Sequence, residues 1–182
     1  AGQKLVMEKD IGIVGMGQIG IATARRAKAF GMNIAYTRRA PLESDAEKDL
    51  AAKFMSMDEL IESSDVLSIH CPYSPATHHL ISENQLARMK PSAFLINTAR
   101  GPIVDEQALV DALKAGKIAG AGLDVFEHEP KVNPGLLELD NAVLIPHLGS
   151  ATVETRAAMA DIAATNALAI LAGAQAPNLV TS

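Results

Sequence analysis

Three polar residues each follow a short apolar run. Arg100 follows Leu95-Ile96-Asn97-Thr98-Ala99, Glu129 lies just past Gly122-Leu123-Asp124-Val125-Phe126, and His147 follows Val143-Leu144-Ile145-Pro146. An arginine can grip a carboxylate and polarise a carbonyl. A histidine exchanges a proton near neutral pH, and a glutamate can orient the imidazole and stabilise its charged form. If the runs are strands of a parallel sheet, all three residues stand at C-terminal strand ends, the edge where such sheets take ligands. Singly, each also has a plainer reading: a surface ion pair for Arg100, a loop charge for Glu129, a satisfied strand-end histidine for His147. Only the set points to carbonyl and proton chemistry.

A second group lies near the start of the chain. The apolar run Ile11-Gly12-Ile13-Val14 leads into Gly15-Met16-Gly17-Gln18-Ile19-Gly20, and an alanine-rich helical pattern follows. Strand, Gly-x-Gly-x-x-Gly and helix in that order form a dinucleotide fingerprint. The glycines serve the tight turn, the approach of the backbone to a pyrophosphate, and close packing of helix on sheet. Free N–H groups at the helix start, Gln18 and Ile19 among them, would face the phosphates.

The choice of dinucleotide is expected at the end of the next strand, Asn33–Tyr36. An NAD site usually carries an acid there for the ribose hydroxyls. This chain instead reads Thr37-Arg38-Arg39. Two guanidiniums and a hydroxyl suit a 2′-phosphate, which arginine binds bidentately. The residues therefore favour NADP, with NAD as the alternative, and a solvated basic turn as the plainer reading.

The elements needed to position these groups can be read along the chain. Strands are predicted over Asp10–Val14, Asn33–Tyr36, Ala52–Met55, Val66–His70, Ala93–Asn97, Gly120–Val125 and Ala142–Ile145. Helices are predicted over Gln18–Phe30, Met57–Ser63, Ser82–Arg88, Asp105–Ala115 and Thr152–Ala172. Several strands are unbroken apolar runs, as strands buried on both faces are. Strand–helix alternation predicts an α/β fold, a Rossmann-type doubly wound parallel sheet in a single domain. Residues 38–46 and 127–134 are expected to be surface loops, with His78 and His79 solvated in a third loop and His70 structural at a strand end.

Composition narrows the function classes. The 182 residues carry a net charge of −5, which disfavours nucleic acid as a partner. No apolar run reaches the roughly 20 residues of a membrane span. The single cysteine, Cys71, fits a reducing compartment, so a cytoplasmic location is expected. No His, Cys, Asp or Glu set has metal-ligand spacing, and Cys71 is not expected to act as a nucleophile.

Several longer motifs resemble one family. Asn97-Thr98-Ala99-Arg100-Gly101-Pro102-Ile103-Val104-Asp105 is similar to the signature of the D-isomer-specific 2-hydroxyacid dehydrogenases. So are residues 120–130, GAGLDVFEHEP, and Pro146-His147-Leu148-Gly149-Ser150-Ala151-Thr152. His70-Cys71-Pro72 and Thr77-His78-His79-Leu80-Ile81 match the family's loop after its fourth strand. The resemblance runs from Gly12 to Val180. It implies hydride transfer from a nicotinamide to the carbonyl carbon of a small 2-oxoacid. Arg100 would hold the substrate, Glu129 would favour the charged form of His147, and His147 would donate the proton. Asp124 would receive the nicotinamide carboxamide. Cys71, Pro72, Thr77, Thr98, Ala99 and Gly149 would line the cofactor groove. The Thr37-Arg38-Arg39 turn is similar to that of the glyoxylate and hydroxypyruvate reductase branch.

The same resemblance implies a second, flavodoxin-like substrate domain, which these residues do not include. Residues 1–182 are thus expected to be the dinucleotide-binding domain alone, binding cofactor with little turnover, and self-association is expected from surface left uncovered. Two other readings stand beside this one: a dinucleotide-sensing, corepressor-like interaction module, and an engineered fragment with a vestigial site.

Overall fold

Strand β1 (Asp10–Val14) lies inside the sheet, because the four residues after Asp10 are apolar or glycine and all four are buried. The computed structural model describes residues 6–180; the extreme ends of the expected 1–182 domain lie outside the described residues. By internal contacts the chain divides into residues 1–146 and 147–182, and each unit is described by itself.

The first unit holds a seven-stranded, all-parallel sheet in the order β3-β2-β1-β4-β5-β6-β7. The remaining strands are β2 (Asn33–Thr37), β3 (Ala52–Phe54), β4 (Val66–Ile69), β5 (Phe94–Asn97), β6 (Gly120–Leu123) and β7 (Ala142–Leu144). The helices are α1 (Gln18–Ala29), α2 (Ser44–Leu50), α3 (Met57–Ser63), α4 (Glu83–Arg88), α5 (Glu106–Lys114) and the short α6 (Pro134–Leu137). From β1 the chain builds outward through β2 and β3, then returns to add β4 on the other side of β1. The C-terminal ends of β1 and β4 therefore flank a topological switch point, where doubly wound sheets bind ligands.

Strand alternation assigns the two faces. Ile34 and Tyr36 of β2 pack with Ile11, Ile13, Ala24, Ala27 and Leu50, which brings α1 and α2 onto one side. Ala35, between them, joins Leu60, Leu86, Leu109 and Leu113 of α3, α4 and α5 on the other. α3 begins at a capping box. Ser56 Oγ accepts Glu59 N–H, and the Glu59 carboxylate accepts Ser56 N–H at 3.0 Å. The Ser56 hydroxyl also donates to the Glu59 carboxylate at 2.7 Å, and the bonds from the Ser56 hydroxyl and N–H hold the Glu59 carboxyl below its usual range.

Two expected loops are shorter than predicted. α2 begins at Ser44, inside the stretch read as loop. Asp45 and Glu47 sit in its first turn, where the helix dipole favours acids, and Leu50 anchors it with 2% exposure. Its charged sequence and the nearby Pro41 mask one short helix. α6 opens on Pro134, the expected last loop residue, because proline suits a first helical position.

The second unit is built around α7 (Val153–Leu171), and Thr152 caps it by accepting Thr155 N–H at 3.1 Å. No helix among the described residues is long and apolar enough to cross a membrane.

Candidate cofactor and active site

The glycine turn forms because β1 must stop abruptly. Gly15 takes φ +96°, and a Cβ there would stand 2.5 Å from Cys71 N. Only glycine combines that left-handed backbone with contact against the end of β4. Gly15 N–H donates to Thr37 O at 3.0 Å, so the turn is tied to β2 as well. Gly20 packs against the Gly15 carbonyl, while a Cβ on Gly17 would meet nothing within 4 Å. Met16 points inward at 2% exposure, and Gly17, Gln18 and Ile19 face outward.

The N-terminus of α1 suits an anion. Gly17 occupies the capping position without a side-chain bond, and the first turn holds no acid. The leading N–H groups of a helix have no partner within it, so these donors and the dipole face the space above Gly17. This is the local test of a dinucleotide site, and the residues present fit.

Beside the turn lies a groove of about 640 Å³ lined by Ile19, His70, Cys71, Pro72, Thr98, Ala99 and Arg100, among others. The structure thus gathers Ile19, Cys71, Pro72, Thr98, Ala99 and Arg100 around one space. Thr77 is used differently. Its hydroxyl accepts Ser74 N–H at 2.8 Å and donates to Pro72 O at 2.9 Å, folding the loop that carries Pro72. Burial lowers the pKa of His70, whose Nε2 lies 2.9 Å from Ser68 Oγ, and raises that of the Cys71 thiol. A neutral imidazole and a protonated thiol therefore line this wall.

The turn bearing Arg100 is braced from below by Asn97, which has 1% exposure. Asn97 Oδ1 accepts Ala99 N–H at 3.1 Å and Asn97 Nδ2 donates to Arg100 O at 3.0 Å. Asn97 O also accepts Asp124 N–H at 3.0 Å, joining β5 to the end of β6. Asp124 itself is buried at 3% exposure. The Arg100 side chain is exposed, with Nη1 donating to Ala99 O at 2.6 Å.

Glu129 lies in the loop after β6, and its Oε1 accepts Phe126 N–H at 3.0 Å. The loop is held from outside. Glu106, at 5% exposure, accepts Glu127 N–H, and Glu127 Oε2 accepts Glu106 N–H at 3.3 Å. Burial pushes the Glu106 carboxyl up. His79, expected in solvent, is instead half-buried, with φ +48° and Nε2 2.7 Å from Glu127 Oε1. Its Nδ1 lies 3.9 Å from Asp105 Oδ2. Those carboxylates arrive from distant parts of the chain, which is why local sequence suggested a solvated loop.

His147 and Gly149 belong to the second unit, where His147 has φ +52°. Arg38 and Arg39 are exposed just past β2. Asn97, Gly101 and Tyr36 were absent from the predicted site. Asn97 had a usable signal, since an asparagine two residues before a turn amide is the signature of an Asx-turn.

Comparison with known proteins agrees with this architecture. The model of the D-isomer specific 2-hydroxyacid dehydrogenase, NAD binding domain, matches residues 2–149. The chain belongs to that family. A nicotinamide dinucleotide is accordingly the cofactor class of this dehydrogenase domain. The glyoxylate reductase of Thermococcus litoralis is 51% identical over 172 residues, 94% of this chain and 52% of the relative. The chain spans about half the length of the relatives it matches. Among solved structures, a glyoxylate reductase from Paecilomyes thermophila superimposes with a TM-score of 0.86 at 46% identity, covering 91% of this chain and 50% of that one. An NADPH-dependent glyoxylate/hydroxypyruvate reductase from Sinorhizobium meliloti, in complex with citrate, gives 0.87 at 41% identity, covering 95% and 53%.

Proposed function

We propose that this chain is the NADP-binding half of an oxidoreductase that reduces a 2-oxoacid such as glyoxylate or hydroxypyruvate to the D-2-hydroxyacid. One observation carries the cofactor choice: the strand-end turn tied to Gly15 presents Thr37, Arg38 and Arg39 and no acid. The NADPH-dependent relative supports the same reading.

Gly15, Gly17, Gln18, Ile19 and Gly20 hold the pyrophosphate, and Thr37, Arg38 and Arg39 hold the 2′-phosphate. Cys71, Pro72, Thr77, Thr98, Ala99 and Gly149 line the cofactor's path, and Asp124 receives the carboxamide. The nicotinamide, when bound, supplies a hydride. Arg100 pairs with the substrate carboxylate and polarises its keto oxygen. His147 gives that oxygen a proton, with Glu129 as the third member of the catalytic set. A second domain, accounting for the greater length of the relatives, closes over the substrate and excludes water.

Separate fluorescence titrations of the 182-residue chain with NADPH and NADH test the cofactor assignment, with NADPH expected to bind more tightly. Tighter NADH binding overturns it. Reduction of glyoxylate or hydroxypyruvate by the chain alone is expected to be negligible. Ready turnover would show that the chain is not merely half of the working enzyme.

A further inference from the structure

Tyr36 is a fully buried residue of β2, with its ring edge-on to Phe54 of β3 at a centroid distance of 5.5 Å. Its hydroxyl reaches past the strand end into the β2–α2 connection. There it donates to Glu47 Oε1 at 2.6 Å and accepts Leu42 N–H at 2.7 Å. A phenol has one proton to give and lone pairs to receive, so the single oxygen closes both bonds. Burial and then the Glu47 contact push the Tyr36 phenol up, while Arg38 acts in the opposite sense. The hydroxyl therefore keeps its proton, and Arg38 lies within electrostatic reach of it.

Only Thr37, Arg38, Arg39, Ala40 and Pro41 separate the strapping residue from Leu42. One end of this segment is fixed to the glycine turn, where Gly15 N–H donates to Thr37 O at 3.0 Å. The other end is fixed by the Tyr36 hydroxyl. The two arginines thus ride on a short loop anchored at both ends beside the pyrophosphate turn.

We propose that Tyr36 is a positioning residue for cofactor choice, its hydroxyl strapping the Arg38–Arg39 loop in the shape that receives a 2′-phosphate. The proposal rests on the NADP assignment above. A loop ordered in advance loses less freedom when ligand arrives. NADH has no 2′-phosphate, so its affinity depends on the glycine turn and the groove beside it, which the Tyr36 hydroxyl does not touch.

The test uses Tyr36→Phe, which keeps the ring and its contact with Phe54. NADPH and NADH are titrated separately, and amide exchange is followed at Leu42. Tyr36→Phe loses both bonds of the hydroxyl; because only part of that loss reaches the ligand, the NADPH Kd is expected to rise about fivefold to tenfold, with NADH within about twofold. Leu42 N–H should lose protection while the β2 amides keep theirs. Glu47→Gln retains an acceptor for the phenol and should keep an NADPH preference at least as strong as that of the parent. Equal weakening of both cofactors, no change in either, or loss of the preference in Glu47→Gln overturns the strap. The double variant Arg38→Ala/Arg39→Ala separates the two ideas. If it weakens NADPH alone while Tyr36→Phe does not, only the strap fails. If NADPH and NADH bind the parent equally and the double variant changes neither, the NADP assignment fails and the strap with it.

Discussion

Gly101 lies directly against the carbonyl of Phe126: a Cβ built on Gly101 would overlap the carbonyl carbon and oxygen. Arg100 precedes the first of these residues, and Glu129 lies three beyond the second. The contact therefore brings the backbones that carry two of the three proposed catalytic groups together, with no side chain between them. Gly101→Ala must push the β6 loop away. An overpacked contact against backbone should cost about 2–3 kcal/mol and lower Tm by roughly 5–10 °C. Gly17→Ala is the matched control. Its Cβ meets nothing and its backbone is extended, so Tm should hold while dinucleotide affinity falls. Equal Tm values for the two variants would show that the Gly101 contact carries no strain.

Asn97→Ala should unsettle the same turn from the other side. Ala99 N–H and the Arg100 carbonyl both lose their partner. Leaving such groups unpaired costs about 1–3 kcal/mol. Asn97→Asp should not rescue it, because a second carboxylate oxygen would then oppose the Arg100 carbonyl. Urea unfolding of the three proteins checks the order, and a fully stable Asn97→Asp would overturn it.

Much of the sheet was legible because its strands are buried on both faces. The strands predicted over Val66–His70 and Gly120–Val125 read as mainly apolar runs at the right spacing and run a residue or two past the observed β4 and β6, and the glycine fingerprint placed the β1–α1 turn. Strand order was not legible. Nothing local to Val14 or Cys71 states that β1 and β4 are neighbours; it follows from packing, which presses the left-handed Gly15 onto Cys71 N. The same limit hid the His79–Glu127 contact, whose partners stand 48 residues apart. It also hid Tyr36, which reads as an ordinary strand aromatic until Leu42 and Glu47 converge on its hydroxyl. Arg38 and Arg39 were legible by type, whereas what holds their loop was not.

Cys71 supplies a chemical probe of the groove. Burial pushes its thiol up, so little thiolate exists near pH 7, and the thiolate is the reactive form. Iodoacetamide should alkylate Cys71 more slowly than a free cysteine at that pH. Because the residue lines the groove, saturating dinucleotide should slow the reaction further, and alkylated chain should bind dinucleotide poorly. Mass spectrometry follows the modification. Equal alkylation rates with and without bound dinucleotide would place the ligand elsewhere.

His70 should make the fold less stable in mild acid. Burial lowers its pKa in the folded chain below the ordinary value of about 6.5. As pH falls, the unfolded chain takes up this proton before the folded chain does. Its contribution is therefore fully present above the ordinary value, shrinks as pH drops toward the folded value, and changes no further below it. The chain has five histidines, so the contribution is isolated by comparison with His70→Gln. Between pH 7.5 and 5 the Tm of the parent should fall more steeply than that of the variant. Parallel slopes, or an NMR titration placing the His70 ring at or above its ordinary value, would show that its burial does not control its charge.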